Sequence, residues 1–446
     1  MQSSRSLIRR LVALALALYA AAAVVAGLPP YPQLRARFSG GGEAASPIDT
    51  LTWPERGRWW PVQALDRTAP LSPEQRDRME ALQAIGYLSG SEPAPDRAGV
   101  TVNRPEAEAG WNLYNSGEAP EAVLMDMAGQ VRHRWHLAFR DAFPKVTVPG
   151  GSTGTDYWRR VYLYPNGDLL AIYEGLGLVK IDRDSRLLWA YPGQCHHDLF
   201  VDRDGDIHVL TRVAHMIPRL DSREPVLEDF ITVLSPDGTP RSSLSVLEAF
   251  ENSRFHWVVD ESSRSGDIFH TNTLEILDGS QAGRSWIFRK GNALISLLKT
   301  DVLAVLDPEE GTVVWAATGP WDAQHQPTLL PDGNLLIFDN RGNDGASKVI
   351  EFDPLAQETV WSYRGDPPGS FFSYDCGSAS RLPGGDTLIT ESNSGRAFEV
   401  TPAGRIVWEF LNPARTGAHG EFIATLFEMQ RLPPQFVAGW LAGVSP

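Results

Sequence analysis

Cysteine is almost missing from this chain: Cys195 and Cys376 are the only two in 446 residues. Two thiols make at most one bridge. Their separation in sequence does not show that the two Cα atoms come within the roughly 4.4 to 6.8 Å that a disulfide needs. Positive charge is also short, with 40 Lys and Arg against 55 Asp and Glu, a formal charge of -15 and a pI near 5.2. That balance argues against a nucleic-acid partner, because phosphates are bound by clustered Lys and Arg that release counterions. A small anion would have to be held by a local cluster of donors, since the field of the whole chain repels it. No Gly-rich phosphate loop and no Gly-x-Ser-x-Gly elbow stands in a suitable context, which disfavours nucleotide binding and serine hydrolysis.

Turn formers and large aromatic anchors are plentiful. With 40 Gly, 33 Pro, 14 Trp and 42% hydrophobic residues, the composition is that of a globular chain with many turns. Its length exceeds one usual compact domain, so the chain holds either several domains or one repeat architecture that closes on itself.

Arg5, Arg9 and Arg10 precede an uncharged stretch from Leu11 to Leu28, which ends at Pro29-Pro30. Eighteen residues at 1.5 Å each span roughly 27 Å, so length does not separate a membrane anchor from a cleavable export signal. Val24-Val25-Ala26 offers a weak cleavage site, and the basic flank places everything after residue 28 on the periplasmic side of the inner membrane. Residues 29–105 lack strand alternation and read as a linker. Within it Ser72, Pro73 and Gln75 form the start signal of a short helix at about 73 to 85, with Met79, Leu82 and Ile85 as its docking stripe. The main domain then occupies 106–446.

A repeat decides the fold of that domain. Strand, turn and a strand ending in Trp recur in MDMAGQVRHRW, IDRDSRLLW, LDPEEGTVVW, FDPLAQETVW and VTPAGRIVW, with LSPDGTPRSSL as a degenerate sixth copy. A second hairpin accompanies them in VYLYPNGDLLAIY, DLFVDRDGDIHVL, FRKGNALISLL, LLPDGNLLIFD and RLPGGDTLITE, whose glycines permit the positive φ of tight turns. Two hairpins per repeat describe a four-stranded blade, so the fold class is all-β, a six-bladed β-propeller. The segment EFIATLFEMQRLP is expected to finish or close the sixth blade, and the repeated Trp to pack between blades.

Blade register also predicts neighbours. Arg159, His197 and His325 each lie eight residues before a hairpin glycine, at Gly167, Gly205 and Gly333, and Gly377 stands at the same offset before Gly385. The first three should face one another across the axis. His270 and Asn272 alternate on one strand and should point the same way. Three histidines also suit zinc, but they stand on separate blades without the short-range ligand pairs and clustered carboxylates of such sites.

The stretches QHQPTLLPDGNLLIFDN, CHHDLFVDRDGDI, DIFHTNTLEI and RLPGGDTLITE with GRAFEV resemble, in order and spacing, the bacterial arylsulfate sulfotransferases (ASST family), over about 110 to 435. The resemblance implies a six-bladed propeller that moves a sulfuryl group from an aryl sulfate ester to a phenolic acceptor through a sulfohistidine, with no nucleotide sulfate donor, no cofactor and no metal. It implies His325 as nucleophile, with His197, His270 and Asn272 as catalytic partners and Arg159, Lys299 and His196 around the substrate. The family's Arg after the His-x-Asn pair is replaced in ALISLLKTD by Leu298, with Lys299 beside it. Lys lacks the planar fork of Arg and points to the opposite strand face, so Arg159, Arg160 or Arg289 would have to supply the charge. The competing reading is a non-catalytic propeller of the cell envelope that binds or scaffolds. LDPEEGTVVW also resembles the tryptophan-docking repeats of pyrroloquinoline-quinone proteins, whose expected eight blades and acidic calcium ligands fit poorly here.

Overall fold

The structure is a computed structural model that describes residues 72–85, 92–148, 152–342, 345–441 and 446. The Arg-flanked apolar stretch of the N-terminus lies outside these residues. Among the described residues no helix is long and apolar enough to cross a membrane.

Six antiparallel sheets form the blades of a propeller. From the axis outward, blade II is Arg160–Leu163, Leu169–Tyr173, Gly177–Ile181 and Leu187–Tyr191, and blade III is Cys195–Val201, Ile207–His215, Val226–Leu234 and Pro240–Ser245. Blade IV is Thr271–Ile276, Ala293–Leu297, Val302–Asp307 and Thr312–Ala317; blade V is His325–Leu329, Leu335–Asp339, Lys348–Asp353 and Glu358–Tyr363. Blade VI is Ser378–Arg381, Thr387–Glu391, Arg396–Val400 and Ile406–Leu411, and Gly99–Asn103 adds a fifth strand at its outer edge. The middle strands are buried on both faces because each blade is covered by a neighbour on both sides. LLAIY and VLEDFITVL, for instance, are buried at every position. The core therefore lies between blades, as where Leu170, Ile172 and Leu178 of blade II meet Leu199, Ile207 and Val209 of blade III.

In four of the five repeats that end in Trp, the tryptophan is a fastener between blades. Its indole N–H donates to a turn carbonyl of the next blade: Trp135 to Gly167 at 2.9 Å, Trp189 to Pro236 at 3.2 Å, Trp361 to Pro402 at 3.0 Å and Trp408 to Met127 at 3.0 Å. An indole packed between blades needs such a partner, and a hairpin turn of the neighbouring blade supplies it.

One expectation is corrected. The segment at 421 to 433 does not belong to the sixth blade; Leu426–Leu432 is the innermost strand of blade I, paired with Trp111–Ser116 and followed outward by Glu121–Met125 and Val131–His136. The first repeat lacks an inner strand of its own, and the end of the chain supplies it, which removes the two free edges at once. The Arg431 side chain on this strand is 2% exposed and bonds Glu399 of blade VI at 2.9 Å and Asn112 of blade I at 2.8 Å, with its guanidinium over the Trp408 ring.

The predicted helix spans Pro73–Gln83, with Ser72 and Gln75 in a reciprocal capping box. Met79, Leu82 and Ile85 are half-buried. The helix end is tied to blade III, where Gln83 Oε1 accepts the Ala214 N–H at 2.9 Å and Arg212 donates to the Ile85 carbonyl at 2.8 Å.

Burial raises the Glu399 carboxyl against the pull of Arg431, so this pair fixes geometry more than it adds stability. Breaking it is another matter. Arg431→Ala is expected to cost about 3 to 5 kcal/mol, because Glu399 stays buried without its counter-charge. Urea unfolding measures the loss, and Arg431→Met with Glu399→Gln should recover most of it.

Candidate active site

The innermost strands of blades III, IV and V open with bulges. Blade III carries two extra residues between Cys195 and Leu199 against Val209 and Thr211, while blades IV and V carry one each, beside Thr271 and His325. His197, His270 and Gln326 there take φ of 51°, 53° and 49°. Left-handed backbone is uncommon outside glycine and is held only where surroundings over-determine it. The consequence is directional. Neighbouring strand residues normally point to opposite faces, yet the rings of His196 and His197 stand 5.2 Å apart with Nδ1 facing Nδ1 at 3.0 Å.

The histidines form a chain anchored by carboxylates. His270 Nδ1 meets Asp267 Oδ2 at 2.8 Å, and its Nε2 meets His197 Nε2 at 3.2 Å, so one proton is shared between the two rings. His196 Nε2 lies 3.5 Å from Asp229 Oδ1. Glu174 accepts the His197 backbone N–H at 3.1 Å and its other oxygen is 3.9 Å from His197 Nδ1. Burial lowers His197 well below the usual imidazole range, and the positive charge of Arg159 adds to it. His196 is lowered by burial and then by Arg212. Asp229 is pushed up to about 7 by burial and by Asp267, while Asp267 is held down because His270, Arg212 and Lys299 together outweigh its burial.

His325 is set differently. Its Nδ1 faces two acceptors, the Ala323 carbonyl at 3.0 Å and Asn340 Oδ1 at 2.7 Å, so Nδ1 carries the hydrogen and Nε2 the lone pair. The Asn340 amide cannot be turned around, since its nitrogen donates to the Ser373 carbonyl at 3.0 Å and the Cys376 carbonyl at 2.6 Å. Burial and then Arg159 lower His325 to about 4 despite the Asn340 bond, so the ring is neutral at ordinary pH. The turn beneath it is clamped. Asn272 Nδ2 donates to the Gln324 carbonyl at 2.8 Å, and Gln326 bonds Thr273 Oγ1 at 3.0 Å and Asp198 at 3.1 Å. Gly377, at the matching place in blade VI, has no room for a side chain, because a Cβ would sit 2.4 Å from the Phe338 ring.

The profile described as Arylsulfotransferase (ASST) matches residues 160–413, more than half of the chain. The chain belongs to this arylsulfotransferase family. The match takes in His196, His197, His270, Asn272 and His325 and ends ahead of the strand that closes blade I. No curated protein sequence matches the chain. A solved protein of unknown function from Bacteroides caccae is 13% identical over 72% of this chain and 98% of its own, with a TM-score of 0.48. A streptogramin B lyase is 13% identical over 76% and 96%, at 0.42, and virginiamycin B lyase from Staphylococcus aureus 11% over 76% and 98%, at 0.40.

Within this arylsulfotransferase-family chain, the expected ring residues come together unequally. His196, His197 and His270 are bonded into one chain, and Arg159 and His270 act electrostatically on His325. His270 and Asn272 diverge, one toward blade III and the other toward blade V. Arg159 is 8% exposed, its guanidinium 5.2 Å over the Phe427 ring and its Nε 3.9 Å from Glu174. Arg160 is spent on Asp198 and Glu428, and Arg289 on Asp307. Of the three arginines considered in place of the family's, Arg159 is thus the one whose charge bears on His325. Leu298 and Lys299 sit in a 3-10 turn, Leu298 half-buried and Lys299 exposed at the rim. Cys195 and Cys376 are buried free thiols, the latter pushed up to about 12 by burial.

Sequence reasoning missed Glu174, Asp229, Asp267 and Asn340, and the expectation that no carboxylates cluster with the histidines is corrected. Asp267 and Asn340 stood at the ends of the stretches that carry the family resemblance, but Glu174 and Asp229 arrive by strand pairing that no local spacing announces. Glu174, His196 and His197 bring one donor atom each within 4.8 Å of one another, with Arg159 beside the carboxylate already supplying positive charge.

The His325 assignment is open to direct reading. Long-range proton–nitrogen NMR should show the neutral Nδ1–H form at pH 7 with a midpoint near 4. Asn340→Leu should lower that midpoint further, because the lost bond is one that favours the charged ring; an upward shift would contradict the bonding described.

Proposed function

We propose that this chain is an aryl sulfotransferase that carries a sulfuryl group from an aryl sulfate ester to a phenol through a sulfohistidine on His325. The observation that supports it most is the pinned Nδ1–H of His325, which leaves the Nε2 lone pair as nucleophile in a ring kept neutral. In the first step Nε2 attacks sulfur, the N–S bond forms, the S–O bond to the aryl group breaks and a phenolate departs. The His197–His270 pair supplies the proton that the phenolate takes up, and Asp267 orients His270. In the second step the acceptor phenol loses its proton to the same pair as its oxygen attacks sulfur, and the N–S bond breaks. Arg159 stabilises charge on the sulfuryl oxygens, a role in which one group contributes on the order of 10²- to 10³-fold. Asn272 holds the Gln324 carbonyl and so positions His325. The Arg-flanked N-terminal stretch supports a periplasmic setting at the inner membrane.

Leu298, in place of the family arginine, favours a second reading, a propeller that keeps the fold and binds without turnover. Incubation of the full chain with 4-nitrophenyl sulfate and phenol separates the two. Release of 4-nitrophenol that depends on phenol is expected; its absence with any aryl sulfate would leave the binding reading. His325→Ala should lose turnover almost completely and keep its melting profile, and quenched wild-type enzyme should carry sulfate on His325.

Two further outcomes follow from the same assay. Asn272→Ala is expected to lower kcat by on the order of 10- to 1000-fold. Since His325 is the nucleophile only when neutral, single-turnover sulfuryl transfer should stay level from pH 8 down to about 5 and fall through about 4. A fall centred on the ordinary imidazole range near 6.5 would speak against this nucleophile.

A further inference from the structure

At the opposite end of the inner strands, blade IV departs from the others. Blades II, III, V and VI join their first two strands through five residues each, whereas blade IV uses sixteen, from Leu277 to Asn292, with a 3-10 turn at Trp286–Phe288. This excursion is tied to both neighbours. Asp278 pairs with Arg203 of blade III at 2.9 Å, Gln281 donates to the Pro331 carbonyl at 2.5 Å and Arg284 pairs with Asp353 of blade V at 2.6 Å. Between them lies a cavity of about 620 Å³, walled by Phe200, Ile276, Leu277, Leu329 and Pro331, with Glu275 inside it. That volume is in the range of small-molecule sites. It is separate from the histidine chain. His270 and Glu275 stand at opposite ends of one strand, roughly 16 Å apart at about 3.3 Å per residue, and the Arg160–Asp198–Gln326 layer crosses the axis between them.

Glu275 is a half-buried carboxylate in the lining of this cavity. Its Oε2 accepts the Leu329 N–H at 2.9 Å, and among the described residues its Oε1 bonds nothing. Burial pushes the carboxyl up to about 7, with Asp198 and Asp278 adding to it and the Leu329 bond opposing. The other charges are taken or solvated. Asp202 holds His208 at 3.1 Å, Asp278 holds Arg203, and Asp204 and Lys290 lie toward solvent at the rim. An apolar chamber with one carboxylate oxygen short of a donor is complementary to a cation on an apolar body.

We propose that this cavity binds a small organic monocation, a protonated primary amine whose ammonium sits on Glu275 Oε1 and whose body packs on Phe200, Leu277 and Leu329. The site is independent of sulfuryl transfer. Calorimetric titration of the full chain with phenethylammonium chloride, and with the neutral 3-phenylpropan-1-ol, tests it. The amine should bind about tenfold or more tighter than the alcohol. Its affinity should rise from pH 5 to about 7, as Glu275 ionises, and stay level above that. Glu275→Gln keeps an acceptor for Leu329 and should erase both the preference and the pH dependence. Ser280→Trp, at an exposed position on the mouth, should block the amine without touching the core. No binding at millimolar amine, equal affinity for amine and alcohol, or a preference that survives Glu275→Gln or Ser280→Trp would overturn the proposal.

Discussion

One antiparallel ladder closes this molecule. Trp111–Ser116 and Leu426–Leu432 come from the two ends of the propeller, and their pairing turns an open row of blades into a ring. Without it the innermost strands of blades III, IV and V have no fixed common axis, and the histidines they carry meet only because that axis exists. Loop closure over more than three hundred residues is entropically costly, though the cost grows slowly with length. The cost is offset locally, by Arg431 between Glu399 and Asn112 and by Trp408 of blade VI bonding Met127 of blade I.

The chain as a whole repels anions, with its charge of -15, and yet the axis gathers cationic groups. Arg159 and Arg212 stand buried next to His196 and His197, and Glu174, Asp229 and Asp267 compensate them from behind. Such an arrangement keeps His196 and His197 neutral, while the fixed positive charge is carried by guanidinium groups that do not titrate near neutrality. A small anion that enters meets donors held in place by strand geometry rather than by a long-range field.

Much of this was legible in the sequence because the repeat is written in turns. The glycine of each hairpin fixes a register, and counting back from it found Arg159, His197 and His325. What counting could not find was the bulge. Two extra residues in blade III bring His196 level with His197, and an αL residue at His270 sends it away from Asn272, although simple alternation put both on one side. Carboxylates such as Glu174 and Asp229 reach the site through hydrogen-bonded neighbours far away in sequence, so no window of residues contains them. The closing strand was misassigned for the same reason: its sequence says that it is a strand, and only the ring says which blade lacks one.

The tryptophan fasteners run in one rotational sense. Blade I reaches forward to II, II to III, V to VI and VI to I, never backward. The four indole bonds therefore all point the same way round the ring. A circular permutant opened between blades III and IV, where Leu244 stands in the place of the Trp, would keep every fastener named above and turn the paired strands of blade I into a covalent hairpin.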